Sequence, residues 1–138
     1  MRILLVEDNP SDVRLLKEIM EEQGYKPSID WVMNGNGALD YIFQRNDYTQ
    51  AVRPDVVLLD LGLPRISGYE VLKEMKQSPK CANIPVFILT TSYNPLDREQ
   101  CQALGAAAFL SKPRTFKEYE ALVHKLVREV FPHVMHVA

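Results

Sequence analysis

Val56-Val57-Leu58-Leu59-Asp60 decides the fold: four consecutive apolar residues run straight into a carboxylate. An unbroken apolar run opening on β-branched residues suits a parallel strand covered on both faces, where a half-exposed strand would alternate. Val86-Phe87-Ile88-Leu89 repeats the pattern and ends in Thr90-Thr91-Ser92. Further out, residues 3–6 and 107–110 give two more short apolar runs, and residues 29–33 give a mixed one around Trp31 that reads as an edge strand.

Helical patterns with legible ends fill the gaps. Asn9 is placed to cap the first helix, Pro10 suits its first position, and Asp12 its first turn. Val13, Leu16, Ile19 and Met20 recur on one face, and Gly24 closes the helix. Ala38, Leu39, Ile42 and Phe43 mark a second helix; Val71, Leu72 and Met75 mark a third. Asn94-Pro95 with Asp97 opens a fourth, and Thr115 with Glu118 forms a capping box for the fifth. The buried stripe of that last helix reads Tyr119, Leu122, Val123, Leu126 and Val130. Strand and helix thus alternate, which predicts an α/β fold: a doubly wound, five-stranded parallel sheet with helices on both faces. Residues 44–54 form the loosest connection. The domain is expected over residues 1–130, followed by a short tail at 131–138 and no output domain.

The bulk numbers exclude several classes. At 138 residues the chain is one ordinary domain, large enough to bury a core without disulfides. A formal net charge of −2, with both signs mixed, gives no argument for nucleic acid or an anionic membrane as partner. The first apolar run begins too early for a signal peptide, and no run is long enough to span a bilayer. Cys81 and Cys101 form no CxxC pair and read as free thiols in a reducing cytoplasm.

Ligands of open parallel sheets bind beyond the carboxyl ends of the strands. Glu7 and Asp8 follow the first strand, Asp60 the third, Thr90, Thr91 and Ser92 end the fourth, and Ser111, Lys112 and Pro113 follow the fifth. Carboxylates crowded on one rim repel one another. A hard divalent cation resolves the conflict and leaves coordination positions for a phosphoryl group. Lys112 adds a point charge suited to phosphate, Thr90 a hydroxyl donor, and Asp60 a nucleophile able to form an acyl phosphate.

Val6-Glu7-Asp8-Asn9, Asp60-Leu61-Gly62-Leu63-Pro64 with Gly68, Leu89-Thr90-Thr91-Ser92 and Lys112-Pro113 together resemble the motif set of two-component response-regulator receiver domains. The resemblance runs from Arg2 to about Val130. The long polar loop, the Thr-Thr-Ser run and the stand-alone length are most similar to the phytochrome-associated response regulators. The resemblance implies a flavodoxin-like sheet of order 2-1-3-4-5, with Asp60 as phospho-acceptor for a sensor histidine kinase, phytochrome-like in this subfamily. It implies Mg²⁺, with Mn²⁺ as a second candidate, held by Asp8, Asp60, the Gly62 backbone carbonyl and, through water, Glu7. It makes Thr90 the switch hydroxyl, Lys112 the phosphate-binding lysine, Lys112–Pro113 a cis bond, and Phe109 the aromatic switch.

In this reading phosphorylation draws Thr90 to the phosphoryl group, and Phe109 repacks inward. The face made by the fourth helix, fifth strand and fifth helix then changes for a downstream protein or phosphotransfer partner. The chain would promote its own phosphorylation and dephosphorylation without being an enzyme in the ordinary sense, with Ser92 and Gly62 flanking the water path. The apolar tail residues Phe131, Val134, Met135 and Val137 suggest a contact surface, and a homodimer is expected through the fifth helix and its flank.

Rival readings meet specific obstacles. A haloacid-dehalogenase-type phosphatase needs a second Asp two residues after the nucleophile, where this chain has Gly62. A nucleotide- or flavin-binding domain needs a phosphate-cradling first turn, and Glu7-Asp8-Asn9-Pro10 would repel phosphate without a metal. A receiver-like interaction module independent of phosphorylation should lack an essential site residue, and none is missing. Taken singly, Asp60 is an ordinary strand-end turn residue, Glu7-Asp8 a solvated pair, and Lys112 a surface lysine. His124 reads as an exposed helix residue, and His133 and His136 as solvated tail residues.

Overall fold

The computed structural model describes residues 1–132. Strand β1 (Arg2–Val6) leads into helix α1 (Pro10–Glu22), β2 (Ser28–Val32) into α2 (Gly35–Ile42), and β3 (Val56–Leu59) into α3 (Gly68–Gln77). Strand β4 (Val86–Thr90) leads into α4 (Pro95–Ala103), and β5 (Ala108–Ser111) into α5 (Phe116–Lys125). The strands form one parallel sheet in the order β2-β1-β3-β4-β5. This is the doubly wound flavodoxin-like arrangement that the sequence predicts, with Trp31 on the edge strand β2.

Alternation along the strands divides the core between two faces. Leu4, Val6, Val57, Leu59, Val86 and Ile88 point to one side, where α2 and α3 cover them with Leu39, Ile42, Val71 and Leu72. Ile3, Leu5, Val56, Leu58, Phe87 and Leu89 point to the other, packed on Val13, Leu16 and Ile19 of α1 and Tyr119 and Val123 of α5. Both faces are sealed, which explains why β3 and β4 read as unbroken apolar runs.

Helix starts follow the expected chemistry. The Asn9 side chain accepts from the Ser11 amide at 3.0 Å, and Asn94 from the Leu96 amide at 3.0 Å. The Thr115 hydroxyl accepts from the Glu118 amide at 3.1 Å. The loop at 44–54 is more ordered than its polarity implies: a 3₁₀ turn, Asn46–Tyr48, lays Tyr48 against Tyr41 with ring centroids 5.4 Å apart.

The end of α5 departs from the sequence reading. Leu126–Val130 is a π-helical turn, and the Phe131 amide bonds to the Leu126 carbonyl, five residues back. The wider turn inserts one residue into the helical stripe. Phe131 therefore joins the core beside the partly buried Val130; it is 2% exposed, with its ring 5.6 Å from Phe87 and 6.4 Å from Tyr25. Phe131 thus belongs to the core and not to an exposed apolar tail, and the helix runs on past residue 130. Val134, Met135, Val137, His133 and His136 lie outside the described residues.

Candidate functional site

Burial of polar groups singles out one place. Among the described residues the buried polar or charged side chains are Glu7, Asp60, Thr90 and Lys112, all at the carboxyl ends of strands. Burying a charge is costly unless it is paired, so a structure that concentrates its buried charges on one rim needs a reason there.

The strand ladders put these groups in place. The Glu7 amide bonds to the Val32 carbonyl at 3.1 Å, and the Asp60 amide to the Val6 carbonyl at 3.1 Å, so both carboxylates continue the sheet past its last apolar residues. The Lys112 amide bonds to the Thr90 carbonyl at 2.6 Å and carries the side chain to the same rim. The indole of Trp31 donates to the Glu7 carbonyl at 2.7 Å and braces the turn from the sheet edge.

One carboxylate oxygen from each of Glu7, Asp8 and Asp60 lies within 4.8 Å of the other two. Glu7 and Asp60 are buried while Asp8 is exposed, so the cluster opens to solvent on one side. Oxygen donors of this hardness and number fit Mg²⁺ or Mn²⁺, which take carboxylates and keep waters. The Lys112 ammonium sits against the buried flank, 2.6 Å from Glu7 Oε2, 3.1 Å from Asp12 Oδ2 and 3.2 Å from Asp60 Oδ2. Burial raises the Glu7 carboxyl to about 7 despite the lysine beside it. Burial alone would pull Lys112 down, but its ion pairs with Glu7, Asp60 and Asp12 prevail and hold it above the ordinary lysine range.

Asp60 also accepts from the Gly62 amide, Oδ1 to N 3.0 Å, which fixes the carboxylate plane. Gly68 makes this turn geometrically feasible. A Cβ there would stand 2.4 Å from the Asp60 carbonyl oxygen and 2.8 Å from Leu61 Cα, so α3 reaches the Asp60 loop only through glycine. A space-filling fit for any side chain is closed at Gly68 but open at Gly62, where a Cβ would lie 3.8 Å from Asp60 Oδ1.

Thr90 is buried at the end of β4, and its hydroxyl oxygen accepts from the Ser92 amide at 3.3 Å, leaving its own proton free to be donated. The Ser92 and Tyr69 hydroxyls both donate to Asp97, tying the loop after β4 to α3 and α4. Those two hydrogen bonds hold the Asp97 carboxyl below the usual range.

The expected cis bond is corrected here. The Lys112–Pro113 bond is trans, as is every peptide bond among the described residues. Trans is the favoured isomer by about 0.5–1 kcal/mol before proline, and the Lys112 amide meets the Thr90 carbonyl without the alternative turn. Phe109 is already inward: it is 8% exposed, with the Arg98 guanidinium 5.2 Å above its ring.

Asp12 is the site residue that sequence reasoning missed. Its first-turn position already explains an acid there, since carboxylates favour helix N-termini. Its place one helical turn beyond Glu7-Asp8 was the signal that it faces the same rim.

Residues 3–124 match the family model for the response regulator receiver domain. Response regulator Rcp1 of Synechocystis sp. is 37% identical over 121 residues, spanning 88% of this chain and 82% of Rcp1. A crystal structure of the Mn²⁺-bound form of Rcp1 superposes with a TM-score of 0.89 at 34% identity, covering 99% of this chain and 96% of that one. The phosphorylated cyanobacterial phytochrome response regulator RcpA gives a TM-score of 0.86 at 33% identity, over 94% of both chains. Among the described residues no helix is long and apolar enough to cross a membrane. A rim that gathers carboxylates, a buried lysine and a strand-end threonine on this sheet order is what such a domain requires, and the chain belongs to the response regulator receiver domain family of two-component signalling.

Proposed function

We propose that this receiver accepts a phosphoryl group on Asp60 from the phosphohistidine of a sensor kinase and passes the signal on by a change of conformation. The observation that supports this most is the buried Asp60 carboxylate, paired with Lys112 at 3.2 Å and adjoining the Glu7–Asp8 cluster. An Asp60 oxygen attacks phosphorus, the bond from phosphorus to the histidine nitrogen breaks, and an acyl phosphate forms. A Mg²⁺ ion held by Asp8, Asp60, the Gly62 carbonyl and, through water, Glu7 would neutralise charge on the transferring group, and Mn²⁺ would serve in the same place. Lys112 meets a phosphoryl oxygen from the buried side. Thr90 donates its free proton to another.

Because the Thr90 oxygen holds the Ser92 amide, and Ser92 holds Asp97, movement of Thr90 is felt by α4 directly. The states differ in contacts made only when phosphate is present, which is a shift of population between two arrangements. With Phe109 already inward, the change runs through the loop after β4 and the Arg98 cover on the ring. The chain assists its own phosphorylation and hydrolysis; it is a signalling module and not an enzyme of the ordinary kind. The likeness to RcpA favours a phytochrome-like kinase, and the two buried free thiols fit a reducing cytoplasm.

The test is the intact mass of the protein after incubation with acetyl phosphate. A phosphoryl-sized gain that needs Mg²⁺ and disappears in Asp60→Asn supports the reading. No gain, where another receiver is modified under the same conditions, would leave a receiver fold that binds partners without phosphate.

A further inference from the structure

We propose that Asp12 is a positioning residue for phosphoryl transfer, holding the Lys112 ammonium over Asp60 and tying it to α5. The inference rests on Asp60 being the phospho-acceptor and adds a role for a residue outside the receiver motifs.

An ammonium carries three donor hydrogens. Lys112 Nζ has three carboxylate acceptors in reach: Glu7 at 2.6 Å, Asp12 at 3.1 Å and Asp60 at 3.2 Å. Two of these have other duties. Glu7 and Asp60 belong to the cluster suited to a divalent cation, and Asp12 does not. Asp60 also gives up its free carboxylate when it becomes an acyl phosphate. Of the three partners, Asp12 is the one that neither duty draws away from Lys112. Lysine ends in a point charge on a flexible four-carbon stem, so its location depends on what holds it.

Asp12 is fixed well enough to do this. It lies in the first turn of α1, set by the Asn9 cap and Pro10, and its side chain is 24% exposed, so its pairing avoids the full desolvation cost of a buried ion. Its second oxygen lies 3.5 Å from the hydroxyl of Tyr119, a buried residue of α5. Lys112, Asp12 and Tyr119 thus connect the end of β5, the start of α1 and the inner face of α5.

The test measures initial phosphorylation rate against acetyl phosphate concentration at saturating Mg²⁺ for wild type, Asp12→Asn and Asp12→Glu. Mg²⁺ binding is followed by the fluorescence of Trp31, the single tryptophan, whose indole touches the Glu7 turn. Asp12→Asn should lower the maximal rate about tenfold, the effect of losing one charge-assisted hydrogen bond. Asp12→Glu should recover most of it. The Mg²⁺ midpoint should move by no more than about threefold, the screened influence of one nearby charge. A wild-type rate in Asp12→Asn overturns the proposal, and so does a loss matched by an equal loss of Mg²⁺ binding, which would make Asp12 a metal ligand. A loss shared by Asp12→Glu, together with a lowered thermal midpoint, would reduce Asp12 to a structural residue. A wild-type chain that takes up no phosphoryl group would instead overturn the reading of Asp60, and this inference with it.

Discussion

Replacing Lys112 by alanine removes the cation that Glu7, Asp12 and Asp60 share. Glu7 and Asp60 are both buried, so the variant leaves two enclosed carboxylates facing each other without a counter-ion. Removing one partner of a buried ion pair costs about 3–5 kcal/mol. At roughly 4 °C per kcal/mol for a domain of this size, the lower figure is a fall of about 12 °C in thermal midpoint.

The cost depends on pH, and its direction follows from Glu7. Burial already raises this carboxyl to about 7 in the folded protein, against 4.5 as the ordinary value. A carboxyl raised on folding favours the folded state while protonated and withdraws that support as pH climbs through its folded value. Without Lys112 the Glu7 carboxyl rises further, so the variant suffers most at pH 8. At pH 5.5 Glu7 carries its proton in both proteins, the Lys112–Glu7 pair is already lost from wild type, and the difference shrinks to about 1–3 kcal/mol.

Mg²⁺ adds a second lever. A ligand that binds only the folded state stabilises it by mass action, and a cation among these carboxylates replaces part of the missing charge. Thermal unfolding of both proteins at pH 5.5 and 8, in EDTA and in Mg²⁺, measures all of this. A Lys112→Ala protein as stable as wild type in EDTA at pH 8, or a deficit that grows as pH falls, would refute the reasoning.

Gly68→Ala should destabilise by about 1–3 kcal/mol in urea and slow phosphorylation, because the new Cβ meets backbone atoms of Asp60 and Leu61 that cannot step aside; unchanged stability would show that α3 moves freely. Phe131→Ala should cost about 3–5 kcal/mol and Val130→Ala far less, since the π turn sends residue 131 inward; the reverse ranking in denaturant titrations would contradict that register. Cys81 and Cys101 are buried, and burial, with Asp97 nearby, pushes the Cys101 thiol up to about 11. At pH 8 about one Cys101 in a thousand is then thiolate, so a disulfide reagent should react at the pace of unfolding; prompt modification of the native protein would count against this packing.

Much of this was legible in the sequence because sheet and site share one pattern. Unbroken apolar runs such as Val56–Leu59 mark strands sealed on both faces, and in this topology the residues just beyond them share a rim. Glu7, Asp60, Thr90 and Lys112 are therefore placed together by the sequence pattern itself. What stayed hidden depends on exact turns. The π turn at Leu126–Val130 carries no mark in a 3.6-residue periodicity, and it brings Phe131 into the core beside the partly buried Val130. Asp12 was absorbed by its fit to a helix start, although its side chain reaches Lys112 across the fold. The cover that Arg98 lays over the Phe109 ring joins two residues on different elements, a contact that no local pattern marks.

The central claim is that the phosphoryl group arrives on Asp60, and the most direct measurement is chemical mapping of the modified residue. Borohydride reduces an aspartyl phosphate to homoserine. After treatment with acetyl phosphate and Mg²⁺, peptide sequencing by mass spectrometry should find homoserine at position 60, with Asp8 unchanged. Homoserine at position 8, or at neither position in a protein that has gained phosphate, would contradict the account.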